Sequence, residues 1–286
     1  MKRTALLIAD IAIFIGTVSA QNDTMYIMKS GQIIGKYNTS EIDSIVFYPP
    51  GATGGTVSDI DGNIYNTVTI GSQTWMAENL RTTHYPDGTA IPYVSGNANW
   101  AAVSTSDHAY CWYEDDSLKN ADIYGALYTW SAAVNGSPSS DEIPSGIQGV
   151  CPDGWHVPSD SEWRNMQNYM ITHGFNYDGS LTGSKIGKSL AVPEDWRSST
   201  ESGSVGNIDY PIYQNRSGFS ARPGGYRDQW GDFFFNGQEG FWWSATDYLS
   251  ISAWFRSLAY YSTDMYRLPP TCFYKELGFS VRCIMD

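Results

Sequence analysis

The residues of this chain best suited to hold a metal or attack a substrate are four cysteines and four histidines: Cys111, Cys151, Cys272, Cys283, His84, His108, His156 and His173. A zinc site draws Cys and His in close pairs, whereas these cysteines are separated by 39, 120 and 10 residues, and the histidines are scattered. No H-E-x-x-H, G-x-S-x-G or S-x-x-K stretch occurs, so metalloprotease and serine-hydrolase signatures are missing. A glycosidase needs two carboxylates across one cleft, and with 30 acidic residues any pair can be imagined. Asp59-Ile-Asp-Gly-Asn63 has the look of a calcium loop, but its sixth and twelfth positions are Ile64 and Ile70 where Gly and a ligand Glu belong. It reads as a turn before a strand. Glu114-Asp115-Asp116 reads as a solvated acidic loop. His156 and Arg222 read as packing or hydrogen-bonding groups. The expectation is a chain without catalytic residues, without a metal and without a cofactor.

The start of the chain sets the chemical environment. Lys2 and Arg3 precede an apolar run from Ala5 to Ile15 broken only by Asp10, and Val18-Ser19-Ala20 fits a signal peptidase site. Residues 1–20 are therefore expected to be a cleaved signal peptide, with export to the cell surface or beyond. No later stretch has the length of a transmembrane span, so none is expected in the mature chain. In an oxidising compartment four cysteines read as two disulfides, and three pairings stand open.

Of the 286 residues, 42% are hydrophobic, 15% aromatic and only 16% charged, which excludes a disordered chain. A net charge of -13 repels phosphate backbones, so nucleic acid is excluded as a partner. Residues 21–50 read as a small β unit: strands at 25–28, 33–37 and 45–48, with one helical turn at 40–44. Residues 51–56 are Gly-rich and read as a linker. From 57 to 286 the pattern is mixed. A hairpin is expected from 65–70 and 73–77 about Gly71-Ser72. A helix is expected over 159–173, where Ser159 and Glu162 form a capping box and Trp163, Met166 and Met170 share a face. Apolar spacing suggests a second helix over 124–134. The last third reads as strands at 232–235, 241–245, 253–260 and 278–284. Two main helices among several short antiparallel strands make an α+β domain preceded by a small β unit.

Seven stretches follow in order: Asp59-Ile-Asp-Gly-Asn63, Gln73-Thr-Trp-Met-Ala-Glu-Asn-Leu80, Tyr124-Gly-Ala-Leu-Tyr-Thr-Trp130 and Cys151-Pro-Asp-Gly-Trp-His-Val-Pro-Ser159, then Gly218-Phe-Ser-Ala-Arg-Pro-Gly-Gly-Tyr-Arg227, Gly240-Phe-Trp-Trp-Ser-Ala-Thr246 and Gly278-Phe-Ser-Val-Arg-Cys283. The series resembles the Fibrobacter succinogenes major paralogous domain over residues 57–286. That family is similar to C-type-lectin-like folds, and the resemblance implies such a fold here with a Cys151–Cys283 bridge. Cys111 and Cys272 would then pair by elimination. The residues of a calcium-dependent sugar site (Glu-Pro-Asn or Gln-Pro-Asp with Trp-Asn-Asp) do not occur. The formylglycine-generating enzymes, of related fold, need two nearby cysteines, and the bridge would occupy Cys283. Residues 21–50 resemble a segment found before adhesin-like domains of exported Bacteroidetes proteins.

Aromatic excess is what remains: 11 Trp, 20 Tyr and 11 Phe. Trp75, Trp130, Trp155, Trp163, Trp242 and Trp243 lie in the matched stretches and are expected to build the core. Trp100, Trp112, Trp196 and Trp230 fall in loops, and with Tyr260, Tyr261 and Tyr266 they are the candidate ligand-binding residues, since flat rings with a polar edge stack on sugars and anchor proteins. The sequence thus points to a non-catalytic binding or adhesion protein recognising a glycan or an extracellular protein. A polysaccharide-active hydrolase and a fimbria-like subunit are the alternatives.

Overall fold

The structure is a computed structural model that describes residues 4–8, 12–16, 24–29, 32–41, 54–268 and 274–286. The chain divides into a unit of residues 1–49 and a unit of residues 50–286. The N-terminal unit is one antiparallel sheet of β1 (Thr4–Ile8), β2 (Ala12–Gly16), β3 (Thr24–Lys29) and β4 (Gln32–Asn38) in that order. The apolar segment read as a leader thus pairs, in the uncleaved chain, with the first expected strand. The helical turn is a 3-10 turn at Thr39–Glu41. The strand expected at 45–48 lies outside the described residues.

In chain order the larger unit contains β5 (Thr56–Ser58), β6 (Ile64–Ile70), β7 (Gln73–Met76), α1 (Asn97–Trp100), β8 (Tyr110–Cys111), α2 (Ser117–Tyr124), β9 (Leu127–Tyr128), α3 (Trp130–Ala133), β10 (Trp155–His156), α4 (Asp160–Thr172) and α5 (Gly187–Leu190). It ends with β11 (Gly224–Arg227), β12 (Phe233–Asn236), β13 (Glu239–Leu249), β14 (Ser252–Ala259), β15 (Met265–Leu268) and β16 (Ile284–Met285). One sheet runs β10-β16-β7-β6-β5, the other β12-β11-β13-β14-β15, and β8 pairs with β9. The unit is α+β, dominated by sheet.

The best-signalled elements form as their local chemistry dictates. At the start of α4 the Ser159 hydroxyl accepts from the Glu162 N–H at 3.1 Å and the Glu162 carboxylate accepts from the Ser159 N–H at 2.9 Å. Trp163, Met166 and Met170 are buried, and Trp163 packs on Trp75 with ring centroids 4.7 Å apart. Gly174, with φ +75, follows the last turn. Gly71, at φ +68, makes the turn between β6 and β7. The helix expected over 124–134 is corrected: the helix is α2, which ends at Tyr124, and Leu127 and Tyr128 are drawn into β9 before the short α3. Asp116 caps α2 by accepting from the Lys119 N–H at 3.2 Å, and Gly125, at φ +75, stops it. Pairing of Tyr128 with Tyr110 and bridging to Phe279 outweigh the helical spacing of a segment this short.

All six tryptophans expected in the core are buried. Trp75, Trp163 and Trp242 gather with Phe219 in one cluster, and Trp130, Trp155 and Trp243 gather with Phe279 in another. Cys151 and Cys283 are bonded and tie the segment before β10 to the start of β16. No helix among the described residues is long and apolar enough to cross a membrane.

Candidate functional site

Between α5 and β11 the chain runs from 191 to 223 without a strand, yet it is pinned at many points. Val192 donates to the Ala221 carbonyl at 3.2 Å and Arg197 to Gly237 at 2.6 Å. Gly206 donates to the carbonyl of Tyr260 at 2.7 Å and Val205 to that of Ser262 at 3.0 Å, which sews the loop to the end of β14. Lys188, wholly buried, reaches Asp209 at 3.2 Å. Burial opposes its charge and lowers its pKa, with Asp209 pulling the other way.

This pinning opens a groove of about 340 Å³ whose walls include Pro193, Trp196, Val205, Ile208 and Pro211, with Gln214 as a polar group. The Trp196 Nε1–H is buried in the protein and has no acceptor. Ile208 is 95% exposed at the lip. Next to Trp196, the Arg197 guanidinium lies 5.3 Å from the Tyr260 ring, and Tyr260 meets Tyr261 edge-on at 5.2 Å. Tyr261 is half exposed, and burial together with the nearby Glu239 raises its phenol pKa. The Glu239 carboxyl is itself raised by burial.

Of the ligand-binding candidates, Trp196, Tyr260 and Tyr261 therefore share one face, while the others are dispersed. Trp100 is corrected from surface to core: it is fully buried, with the Arg227 guanidinium 4.8 Å from its ring. Arg227 meets Asp115 at 3.0 Å, so Asp115 is the counter-ion of a buried arginine rather than part of a solvated acidic loop. Trp112 is half-buried against the core, edge-on to Tyr110 at 5.6 Å. Trp230 is 67% exposed but sits on the turn between β11 and β12, at the other end of β12 from Gly237. Tyr266 is exposed on β15. Arg197, Ile208 and Pro211 went unnoticed in the sequence; the one trace they leave is an isolated Ile inside a polar run.

The remaining chemical groups are engaged within the protein. Asp59 accepts from the Asn63 N–H at 2.9 Å and from the Tyr65 hydroxyl at 2.6 Å, as the turn reading requires. Asp61 accepts from the Thr83 N–H and meets the His84 imidazole, both at 2.6 Å. His156 is buried between Glu162 at 2.9 Å and Asp286 at 2.6 Å. Arg222 pairs with Asp195 at 2.5 Å. Among the described residues no three Cys, His, Asp or Glu side chains are grouped to hold a metal. Cys111 is a free, buried thiol, where a bond to Cys272 was implied; Cys272 lies outside the described residues.

The profile of the family described as the Fibrobacter succinogenes major domain matches residues 68–285. The chain belongs to that family. The matched stretch runs from within β6 to β16 and takes in the β12-β11-β13-β14-β15 sheet, the disulfide and the groove. No curated protein and no solved structure matches the chain.

Proposed function

We propose that the protein is an exported, non-catalytic binding protein of C-type-lectin-like fold that takes a glycan in the Trp196 groove. The observation that carries this is a groove lined by Trp196 and walled by Pro and aliphatic side chains. A sugar ring presents its C–H face to such walls and its hydroxyls to polar groups such as Gln214. Arg197, Tyr260 and Tyr261 extend the face beside it. Export is supported by the charged start, the apolar run and Val18-Ser19-Ala20. The lectin-like fold is supported by the order of the matched stretches, the bridge near the C-terminal end and the long pinned loop.

The test is a glycan array probed with the exported chain, with and without a chelator. Binding is expected to survive chelation and to fall on Trp196→Ala. Silence across the array, or binding indifferent to that substitution, overturns the proposal; capture of a protein instead would shift the groove to protein recognition.

A further inference from the structure

Three arginines of the larger unit are wholly buried: Arg227, Arg256 and Arg282. Arg227 meets Asp115 at 3.0 Å and Arg256 meets Asp160 at 2.7 Å. Arg282 has no ion pair among the described residues. Its Nη1 donates to the Phe219 carbonyl, its Nη2 donates to Asn79 Oδ1 at 2.8 Å, and its Nε–H is buried without an acceptor. Its guanidinium is thus in contact with neutral oxygens and with the Phe219 ring at 4.0 Å, and the charge of Glu78 acts on it without an ion pair. Buried charges are ordinarily paired in direct contact, so a buried guanidinium without an ion pair is the anomaly to explain.

Arg282 lines a second pocket, of about 250 Å³, together with Arg222, Glu78, Asn79, Asp122 and Ser220. The two arginines come from two like stretches, Gly218-Phe-Ser-Ala-Arg222 and Gly278-Phe-Ser-Val-Arg282, which the chemistry above left without a role. Arg222 already holds Asp195 through Nη1, leaving its other N–H groups. Glu78 is anchored by the N–H and the side-chain amide of Asn66, both at 2.6 Å, and keeps lone pairs for further donors. The Asp122 side chain is almost fully exposed. The lining therefore offers guanidinium groups for an anion and carboxylates for hydroxyls.

We infer that this pocket binds the acidic sugar unit of a glycan, its carboxylate drawn to Arg222 and Arg282 and its hydroxyls donating to Glu78. A lone inorganic anion satisfies only the arginines, and a neutral sugar only the carboxylates. The pocket is separate from the Trp196 groove, although Val192 lines one and Pro193 the other.

The test is calorimetric titration of the purified full chain with D-galacturonate, D-glucuronate, D-galactose and sulfate near neutral pH. A uronate is expected to bind while galactose and sulfate do not. Arg222→Gln, half-exposed and outside the core, is expected to weaken the uronate by about tenfold, the size of one charge-assisted hydrogen bond. The same titrations on Trp196→Ala, in which the groove is disabled, separate the two sites: uronate binding lost there belongs to the groove and overturns this inference. Galactose or sulfate binding that persists in Trp196→Ala, no binding of either uronate, or affinity indifferent to Arg222→Gln would overturn it.

Discussion

Arg256 on β14 and Asp160 in the first turn of α4 meet at 2.7 Å, both buried, and join the helix to the sheet it covers. Arg267 on β15 adds a second contact to the same carboxylate at 2.9 Å. Burial pushes the Asp160 pKa up, but the hydrogen bonds and charges of Arg267 and Arg256 prevail and hold it below the usual carboxylate value of 3.8. Asp160→Asn would leave Arg256 buried with its charge unmatched and is expected to cost about 3–5 kcal/mol in urea unfolding. Because the folded pKa is lowered, the stabilisation is present above 3.8 and is lost as the pH falls through the folded value. The gap between wild type and variant should close in acid; a gap unchanged by pH would refute the assignment.

His156 gives the opposite sign. Burial lowers its pKa, but hydrogen bonds and charges from Glu162 and Asp286 outweigh burial, and the net shift is upward from 6.5. The stabilisation is full below 6.5 and drains as the pH rises through the folded value. Thermal melts from about pH 5 to about pH 9 should show wild type losing stability on the alkaline side, and His156→Gln should flatten that limb. Parallel curves would exclude the imidazolium.

The Cys151–Cys283 bridge closes a loop with a sequence separation of 132. Cys151→Ser with Cys283→Ser is expected to cost roughly 3–5 kcal/mol in urea unfolding, by the chain-entropy account. In the native protein Cys111 should resist alkylation, since burial, only partly offset by Arg227, pushes its thiol up to about 12. Peptide mapping after brief iodoacetamide treatment reads this directly: label on Cys111 in the folded state would contradict its burial.

Trp100 and Trp230 form a natural pair for mutation. Trp100 is fully buried under Arg227, so Trp100→Ala is expected to cost about 3–5 kcal/mol. Trp230 is 67% exposed, so Trp230→Ala should stay within about 0.5 kcal/mol. Equal losses would mean that the loop carrying Trp230 is packed.

Those two residues show where sequence reading stops. Both occur in loop-like stretches, and nothing local tells them apart. Trp100 goes inside because Arg227, far along the chain, lies over its ring and is paired there with Asp115. Trp196 acquires its groove only because Gly206 and Val205 are tied to Tyr260 and Ser262, and the pocket with Arg222 and Arg282 exists only because two distant Gly-Phe-Ser-x-Arg stretches meet across Phe219.

What the sequence determined by itself is local or compositional. The capping box of α4, the hairpin at Gly71, the leader-like start and the burial of the six motif tryptophans depend on neighbours a few residues away or on sheer hydrophobicity. The tertiary structure decided the rest. It ended α2 at Tyr124 and drew Leu127 and Tyr128 into a strand, because cross-strand bonds outweigh the helical preference of a short segment. It also decided which rings face solvent and which buried arginine has no direct ion pair, since exposure and charge pairing depend on contacts between residues that are far apart in the chain.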